Sequence, residues 1–183
     1  MRALALALLV ACGAAPPPPP PVAKPAEPAP DPVTKPTGYV EVRVLDVIGM
    51  SEGDTLLLVD DVSNLVVPIA IGGTEGMSIV GRVRGVPPRR PLTHDLLEAA
   101  VRKLGGTIVK VQIDELRDGV FHGSVYLRNA KGRIVRLDSR ASDAVALGIG
   151  SGVPIYVAQR VLDEAGLDRD KVMPQITPSG PVT

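Results

Sequence analysis

Eleven of the 19 prolines in this chain lie in one stretch, residues 16 to 36. Proline fixes φ and lacks a backbone N–H, and the large apolar residues in this stretch are limited to Val22 and Val33, so it cannot build a core. At about 3.1 Å per residue, a polyproline II segment of this length would extend to about 65 Å. We therefore expect one folded domain over residues 38–167, followed by a disordered tail over residues 168–183.

The segment before the prolines has the order of a short secretory signal. Arg2 precedes an apolar run that ends at Ala11, and the single cysteine of the chain, Cys12, follows directly. Leu9 to Cys12 resembles the bacterial lipobox, in which the chain is cleaved before the cysteine and the cysteine is acylated. The sequence thus predicts a signal peptide over residues 1–11, lipidation at Cys12 and a linker over residues 12–37. It also predicts that the protein is extracytoplasmic and lipid-anchored in a bacterial cell envelope. A chance cysteine in an apolar leader is the alternative.

Charge and aromatic content exclude several classes of protein. Residues 39–167 contain 15 basic and 16 acidic side chains, so bulk positive charge cannot hold this domain on nucleic acid. The same range has four aromatic residues, which are too few to predict the stacking platforms of single-strand binders. With one cysteine and two histidines in the chain, a bound metal ion would have mainly oxygen ligands.

The hydrophobic pattern predicts an α+β fold in a single domain, with mostly antiparallel sheet. Strands alternate with grouped helices rather than with one helix each, which argues against a doubly wound sheet. The turn at Asp118-Gly119 and a second turn at residues 129–132 predict an antiparallel meander of three strands. The expected strands lie near residues 40–45, 55–60, 65–71, 109–113, 120–128, 133–138 and 154–158, and the expected helices lie near residues 74–84, 93–104, 143–150 and 159–165.

Two of these helices are expected to be core elements. The helix capped by Thr93 spaces Leu97, Val101 and Leu104 at three and four residues, so we expect one apolar face turned into the core. The helix capped by Ser142 is apolar on nearly all sides and should be buried. Thr74 is expected to cap the first helix.

Polar residues are concentrated in two short segments, residues 89–97 and 138–144. No glycine loop for phosphate and no nucleophile elbow occurs, so nucleotide-binding folds and the commonest hydrolase triads are excluded. Each segment also has a structural explanation: Asp95 suits the first turn of a helix, and Asp143 can pair with Arg140. Carboxylates beside a histidine and arginines would instead be able to hold Mg²⁺ and a phosphodiester. Glu75 is a third acidic candidate.

Three blocks of the sequence resemble the signature of the bifunctional nuclease domain family. They are Ile69 to Gly72 with Glu75, then Arg90 to Leu97, and then Asp138 to Ala144. The resemblance implies an α+β domain, a homo-oligomer and activity on DNA and RNA. Ala141 stands where the family usually has proline, Gly76 where it prefers alanine, and Gly150 where it often has arginine.

The resemblance also assigns roles to individual residues. It makes His94, Asp95, Asp138 and Asp143 catalytic, with His94 as a candidate general base. Arg90, Arg140 and Ser142 would bind substrate, and Glu75, Asp138 and Asp143 would hold a divalent metal such as Mg²⁺. A non-catalytic binding or assembly module on the same fold is the alternative, because spacing alone does not bring these groups together.

Overall fold

The structure is a computed structural model that describes residues 34–50 and 53–173. The predicted signal, the lipidation site Cys12 and most of the predicted linker lie outside the described residues. None of the helices in the described ranges has both the length and the hydropathy needed to cross a membrane.

The described residues form eight strands and five helices in one α+β domain, which confirms the predicted fold class. The strands are β1 (Tyr39–Met50), β2 (Gly53–Asp60), β3 (Leu65–Ile71), β4 (Thr107–Arg117), β5 (Val120–Arg128), β6 (Ile134–Arg140), β7 (Ile155–Ala158) and β8 (Leu167–Asp168). The helices are α1 (Gly73–Val83), α2 (Thr93–Lys103), α3 (Ala141–Ser151), α4 (Gln159–Ala165) and α5 (Arg169–Val172).

The strands form one sheet in the order β6-β5-β4-β7-β1-β2-β3-β8. All neighbouring pairs are antiparallel except β4 and β7, which run parallel. The predicted meander is confirmed as β4-β5-β6, and Asp118 and Gly119 both have positive φ, as a two-residue hairpin turn of type I′ requires. The meander brings the end of β6, at Arg140, to the start of α3.

Helix α3 is buried against the sheet, as its apolar composition predicts. Ala144, Val145 and Ala146 have no exposed surface, and Leu147 is 3% exposed. A Cβ at Gly148 would lie 2.7 Å from Val111 on β4, so glycine lets the helix axis approach the sheet. The first turn of α3, where Asp143 is located, lies close to β5, because a Cβ at Gly123 would be 3.2 Å from the Cα of Ala141.

The prediction that α2 turns its leucines into the core is wrong. Leu96, Leu97 and Leu104 are 66%, 44% and 80% exposed, and the buried residues of α2 are His94 and Glu98. The physical reason is Arg82 of α1, which faces α2. A guanidinium that is removed from water needs carboxylate partners, and α2 supplies them. The inward face of α2 therefore carries polar side chains.

Two further predictions differ from the structure at the ends of elements. The N-caps of α1, α2 and α3 lie one or two residues before the predicted Thr74, Thr93 and Ser142. They are Gly72, Leu92 and Arg140, and none of them caps its helix with a side-chain hydrogen bond. The predicted tail begins with ordered structure, because β8 pairs with β3 and α5 follows it.

Candidate functional site

The first turns of three helices meet at one place in the fold. Each helix has an acidic residue at its third position: Glu75 in α1, Asp95 in α2 and Asp143 in α3. An acid there is favoured by the helix dipole and by free backbone N–H groups, and the Asp95 carboxylate accepts from the Leu92 N–H at 2.8 Å. The helix ends thus gather carboxylates, and the contacts between them decide what the site can do.

Arg140, the N-cap residue of α3, joins the first and third of these carboxylates. Its Nη2 donates to Glu75 Oε1 at 2.5 Å and to Asp143 Oδ1 at 2.9 Å, and its Nε donates to Asp143 Oδ2 at 2.7 Å. The Arg140 side chain is 64% exposed, whereas Glu75 is 14% exposed and Asp143 27%. The carboxylates are therefore held in place while the cation between them faces solvent.

These contacts set the protonation state of the site. Hydrogen bonds from its own backbone N–H and from Arg140 lower the pKa of Glu75. Burial raises the pKa of Asp143, but hydrogen bonds from Arg140 and His94 outweigh burial and hold this pKa below its ordinary value. The hydrogen bonds that Arg140 donates to Asp143 and Glu75 raise the pKa of Arg140. Both carboxylates are ionised near neutral pH.

His94 lies behind Asp143 and is buried. Its Nε2 is 3.1 Å from Asp143 Oδ1, and its Nδ1 is 3.0 Å from the Oγ of Ser78 on α1. Ser78 is 3% exposed. Both ring nitrogens of His94 therefore have a partner within hydrogen-bond distance.

Arg82 of α1 extends this network to the other side of His94. Its Nε donates to Ser78 Oγ at 3.3 Å, its Nη2 to Asp95 Oδ1 at 2.7 Å and its Nη1 to Glu98 Oε1 at 2.6 Å. The guanidinium lies over Gly150 of α3, where a Cβ would come within 1.3 Å of Nη1. One continuous hydrogen-bonded row thus connects Glu75 to Glu98 through the three helices; we call it the polar row.

Two openings give solvent access to the ends of the polar row. A groove of about 520 Å³ reaches Arg140 and Ser142 and is also lined by Gly72, Val120 and Phe121. A cleft of about 780 Å³ reaches Ser78, Arg82, Asp95 and Glu98. The row can therefore exchange protons or ligands with solvent on two sides.

The three sequence blocks that contribute residues to this site agree with the comparison with known families. A model of the bifunctional nuclease domain matches residues 56–170, a range that includes the whole polar row. This chain belongs to the bifunctional nuclease domain family.

Relatives of this bifunctional nuclease domain include proteins of bacteria and plants. An uncharacterized protein of Mycobacterium tuberculosis (strain H37Rv) is 36% identical over 130 residues, which cover 69% of this chain and 76% of that protein. Bifunctional nuclease 1 of Oryza sativa subsp. japonica is 27% identical over 126 residues, or 68% of this chain and 37% of the rice protein.

The structure brings some of the predicted site residues together and leaves others apart. Glu75, His94, Arg140 and Asp143 are in direct contact, and Asp95 joins them through Arg82.

Three other predicted residues are outside the polar row. Asp138 is exposed on the edge strand β6, opposite Ser124, and among the described residues it forms no ion pair. Arg90 lies in the exposed loop before α2. Ser142 lines the groove, and it takes part in none of the hydrogen bonds of the polar row. The bifunctional nuclease domain thus centres its polar contacts on Asp143 rather than on Asp138.

Sequence reasoning missed three members of the polar row, Ser78, Arg82 and Glu98. A signal for them exists, because Glu75, Ser78 and Arg82 recur at three and four residues on α1, as His94 and Glu98 do on α2. A polar stripe at helical spacing predicts a buried polar contact when a partner stripe is available on a neighbouring helix.

The side chains of the polar row limit how a divalent metal could be held. Within residues 34–50 and 53–173, no group of three or more His, Cys, Asp and Glu side chains could hold a metal ion. The predicted set of Glu75, Asp138 and Asp143 is not assembled. Glu75 and Asp143 do converge on a common cation, the Arg140 guanidinium. Mg²⁺ commonly uses one or two carboxylates and completes its shell with waters and substrate phosphates, so Glu75 and Asp143 are the two residues that would hold it.

Proposed function

We propose that this domain hydrolyses phosphodiester bonds in DNA or RNA at the groove end of the polar row. The observation that carries the proposal is that two carboxylates on different helices, Glu75 and Asp143, share one exposed cation, Arg140, with His94 directly behind Asp143. Membership of the bifunctional nuclease domain family supports nucleic acid as the substrate.

The residues of the site have distinct roles in this proposal. Hydrolysis requires a base that takes a proton from the attacking water, and a donor that stabilises negative charge on the phosphate oxygens. The ionised Asp143 carboxylate is the base. Arg140 is exposed enough to turn from the carboxylates to a phosphate, for which its planar set of N–H donors is suited. His94 holds Asp143 in place from the buried side.

Once Arg140 has turned to the phosphate, a divalent cation such as Mg²⁺ would be held by Glu75 and Asp143, and in that form the site would not need Asp143 as the free base. When bound, the cation would polarise the phosphate and activate water.

The test is cleavage of labelled single-stranded DNA and RNA by the purified full chain, with and without a chelator. We expect Asp143→Asn and Glu75→Gln each to lower turnover strongly. The matched control is Asp163→Asn, which changes an exposed carboxylate on α4 that contacts Gln159. Equal turnover of Asp143→Asn and the control would contradict the assignment, and unchanged turnover in chelator would contradict the metal.

One observation favours a second function, a non-catalytic binding or assembly module. Asp95 and Glu98 are paired with the nearly buried Arg82, and Asp143 is paired with Arg140, as a structural network would require. In this case no form of the chain, the wild type included, would cleave nucleic acid, and Asp143→Asn would change only stability.

The proposal includes a homo-oligomer. Leu96 on α2 and Leu104, the residue after its end, support it, because exposed apolar side chains that form one patch mark an interaction surface. Light scattering should give a mass above that of one chain for the wild type and a lower mass for Leu96→Ser.

The proposal also places the domain outside the cytoplasm, tethered to the cell envelope through a lipid on Cys12. The order of charge, apolar run and cysteine supports it. Two or more acyl chains would anchor the domain stably, whereas one would bind marginally. Cys12→Ser should move the protein from the membrane fraction to the soluble fraction, and equal membrane recovery of both forms would contradict lipidation.

A further inference from the structure

We propose that Ser78 is a positioning residue of this site, and that its hydroxyl fixes His94 as a hydrogen-bond donor to Asp143. The expected effect of Ser78 on kcat rests on the proposed function. The expected NMR signals of His94 rest on the geometry alone. Neither the sequence blocks nor the comparisons assign a role to Ser78.

The direction of each hydrogen bond follows from the donors that are available. Arginine is always a donor, so the Ser78 oxygen accepts from Arg82 Nε at 3.3 Å. At the other end, Asp143 is held by two N–H groups of Arg140 and is ionised, so it can only accept. His94 Nε2, at 3.1 Å from Asp143 Oδ1, must therefore carry a proton.

A neutral imidazole has one N–H group, so Nδ1 of His94 carries none and must accept. The group within reach is the Ser78 hydroxyl at 3.0 Å, whose oxygen already accepts from Arg82 and whose proton is free to be donated. Neutral His94 then has a single hydrogen-bond arrangement: Arg82 donates to Ser78, Ser78 to Nδ1, and Nε2 to Asp143.

This arrangement has a consequence for the chemistry of the site. The unprotonated nitrogen of His94 is covered by Ser78 on the buried side, and the nitrogen that faces Asp143 is already protonated. Neutral His94 therefore cannot take a proton from a water molecule beside Asp143. Its part is to orient Asp143, and the general-base role expected from the sequence passes to that carboxylate.

The first test is nitrogen NMR of the full chain labelled with ¹⁵N-histidine. The chain has two histidines, and His122, which lies near Arg117 on the β4-β5 hairpin, is an internal reference. At a pH where His94 is neutral, we expect Nε2 to be protonated and Nδ1 to show the signal of a hydrogen-bond acceptor. In Ser78→Ala, Nδ1 should shift to the position of an unbonded imidazole nitrogen, with His122 unchanged. Ser78→Thr keeps the hydroxyl and should restore the wild-type signal.

The second test is kinetic. Ser78→Ala should lower kcat about tenfold with KM unchanged, which is the order of effect when an outer hydrogen bond to a site residue is removed. Ser78→Thr should recover most of the loss.

The two tests separate this inference from the proposed function. If no form of the chain cleaves nucleic acid, the function fails while the ¹⁵N signals still decide the role of Ser78. A protonated Nδ1 in the neutral wild type, or a Ser78→Ala protein with wild-type His94 signals, would overturn the inference. Wild-type kcat in Ser78→Ala would overturn its kinetic part.

Discussion

Replacing Gly150 by alanine tests whether the polar row is held rigidly. The added Cβ would lie 1.3 Å from Arg82 Nη1 and 2.2 Å from Glu98 Oε1, so the guanidinium must move. The end of an arginine side chain usually moves at little cost. Here it is held by Ser78, Asp95 and Glu98, and its exposure is 11%.

Two opposing effects set the size of the change. Alanine in place of a helical glycine stabilises by about 0.5–1 kcal/mol. Separating a buried guanidinium from its carboxylates costs about 3–5 kcal/mol. The second effect is larger, so we expect Gly150→Ala to lower the free energy of unfolding by about 2–4 kcal/mol.

The assay is urea unfolding of four proteins: the wild type, Gly150→Ala, Arg82→Ala and the double variant. Without Arg82 the space over Gly150 is vacant and Glu98 is free to turn away. Gly150→Ala should then stabilise the Arg82→Ala protein by about 0.5–1 kcal/mol. Gly73→Ala, at the start of α1 with no atom within 4 Å of the added Cβ, is the matched control. A Gly150→Ala protein as stable as the wild type, or more stable, would refute the reasoning.

Other predictions follow from burial and charge in the same region. Leu97→Ala should cost less than about 1 kcal/mol because Leu97 is 44% exposed, whereas Leu147→Ala should cost about 2–5 kcal/mol; urea midpoints compare them. Asp143→Asn should lower stability by about 1–2 kcal/mol, because Arg140 keeps Glu75 as a partner and remains hydrated; thermal unfolding measures it. The folded-state pKa values of Glu75 and Asp143 are lowered, so their contribution to stability is present above about pH 4 and is lost as the pH falls. Acid titration of unfolding should show a smaller loss for Asp143→Asn than for the wild type, and equal losses would contradict the coupling.

The composition and periodicity of the chain determined the fold class and most of the elements. The Asp118-Gly119 turn specified the hairpin of the meander, because a two-residue turn of this kind needs positive φ at both positions. The burial of α3 followed from its composition, since a helix that is apolar on all sides has no stable solvent face. These features depend on neighbours in sequence, which is why local patterns predict them.

The site was predictable only in part. Glu75, His94, Arg140 and Asp143 were identified from their sequence blocks, and the structure places them in contact. Asp138 was grouped with them because it is close in sequence, but it is exposed on the edge strand β6, and the contacts of the polar row begin two residues later, at Arg140.

Only the tertiary structure decided which side of α2 is buried and which partners His94 has. The leucine spacing of α2 reports one apolar face, but it contains no information about a guanidinium on another helix. Because burying Arg82 requires carboxylates, α2 turns Glu98 inward and leaves Leu97 partly in solvent. Ser78 and Arg82 acquire their roles through contacts 16 residues away in sequence, and such contacts form only when the three helices are packed together.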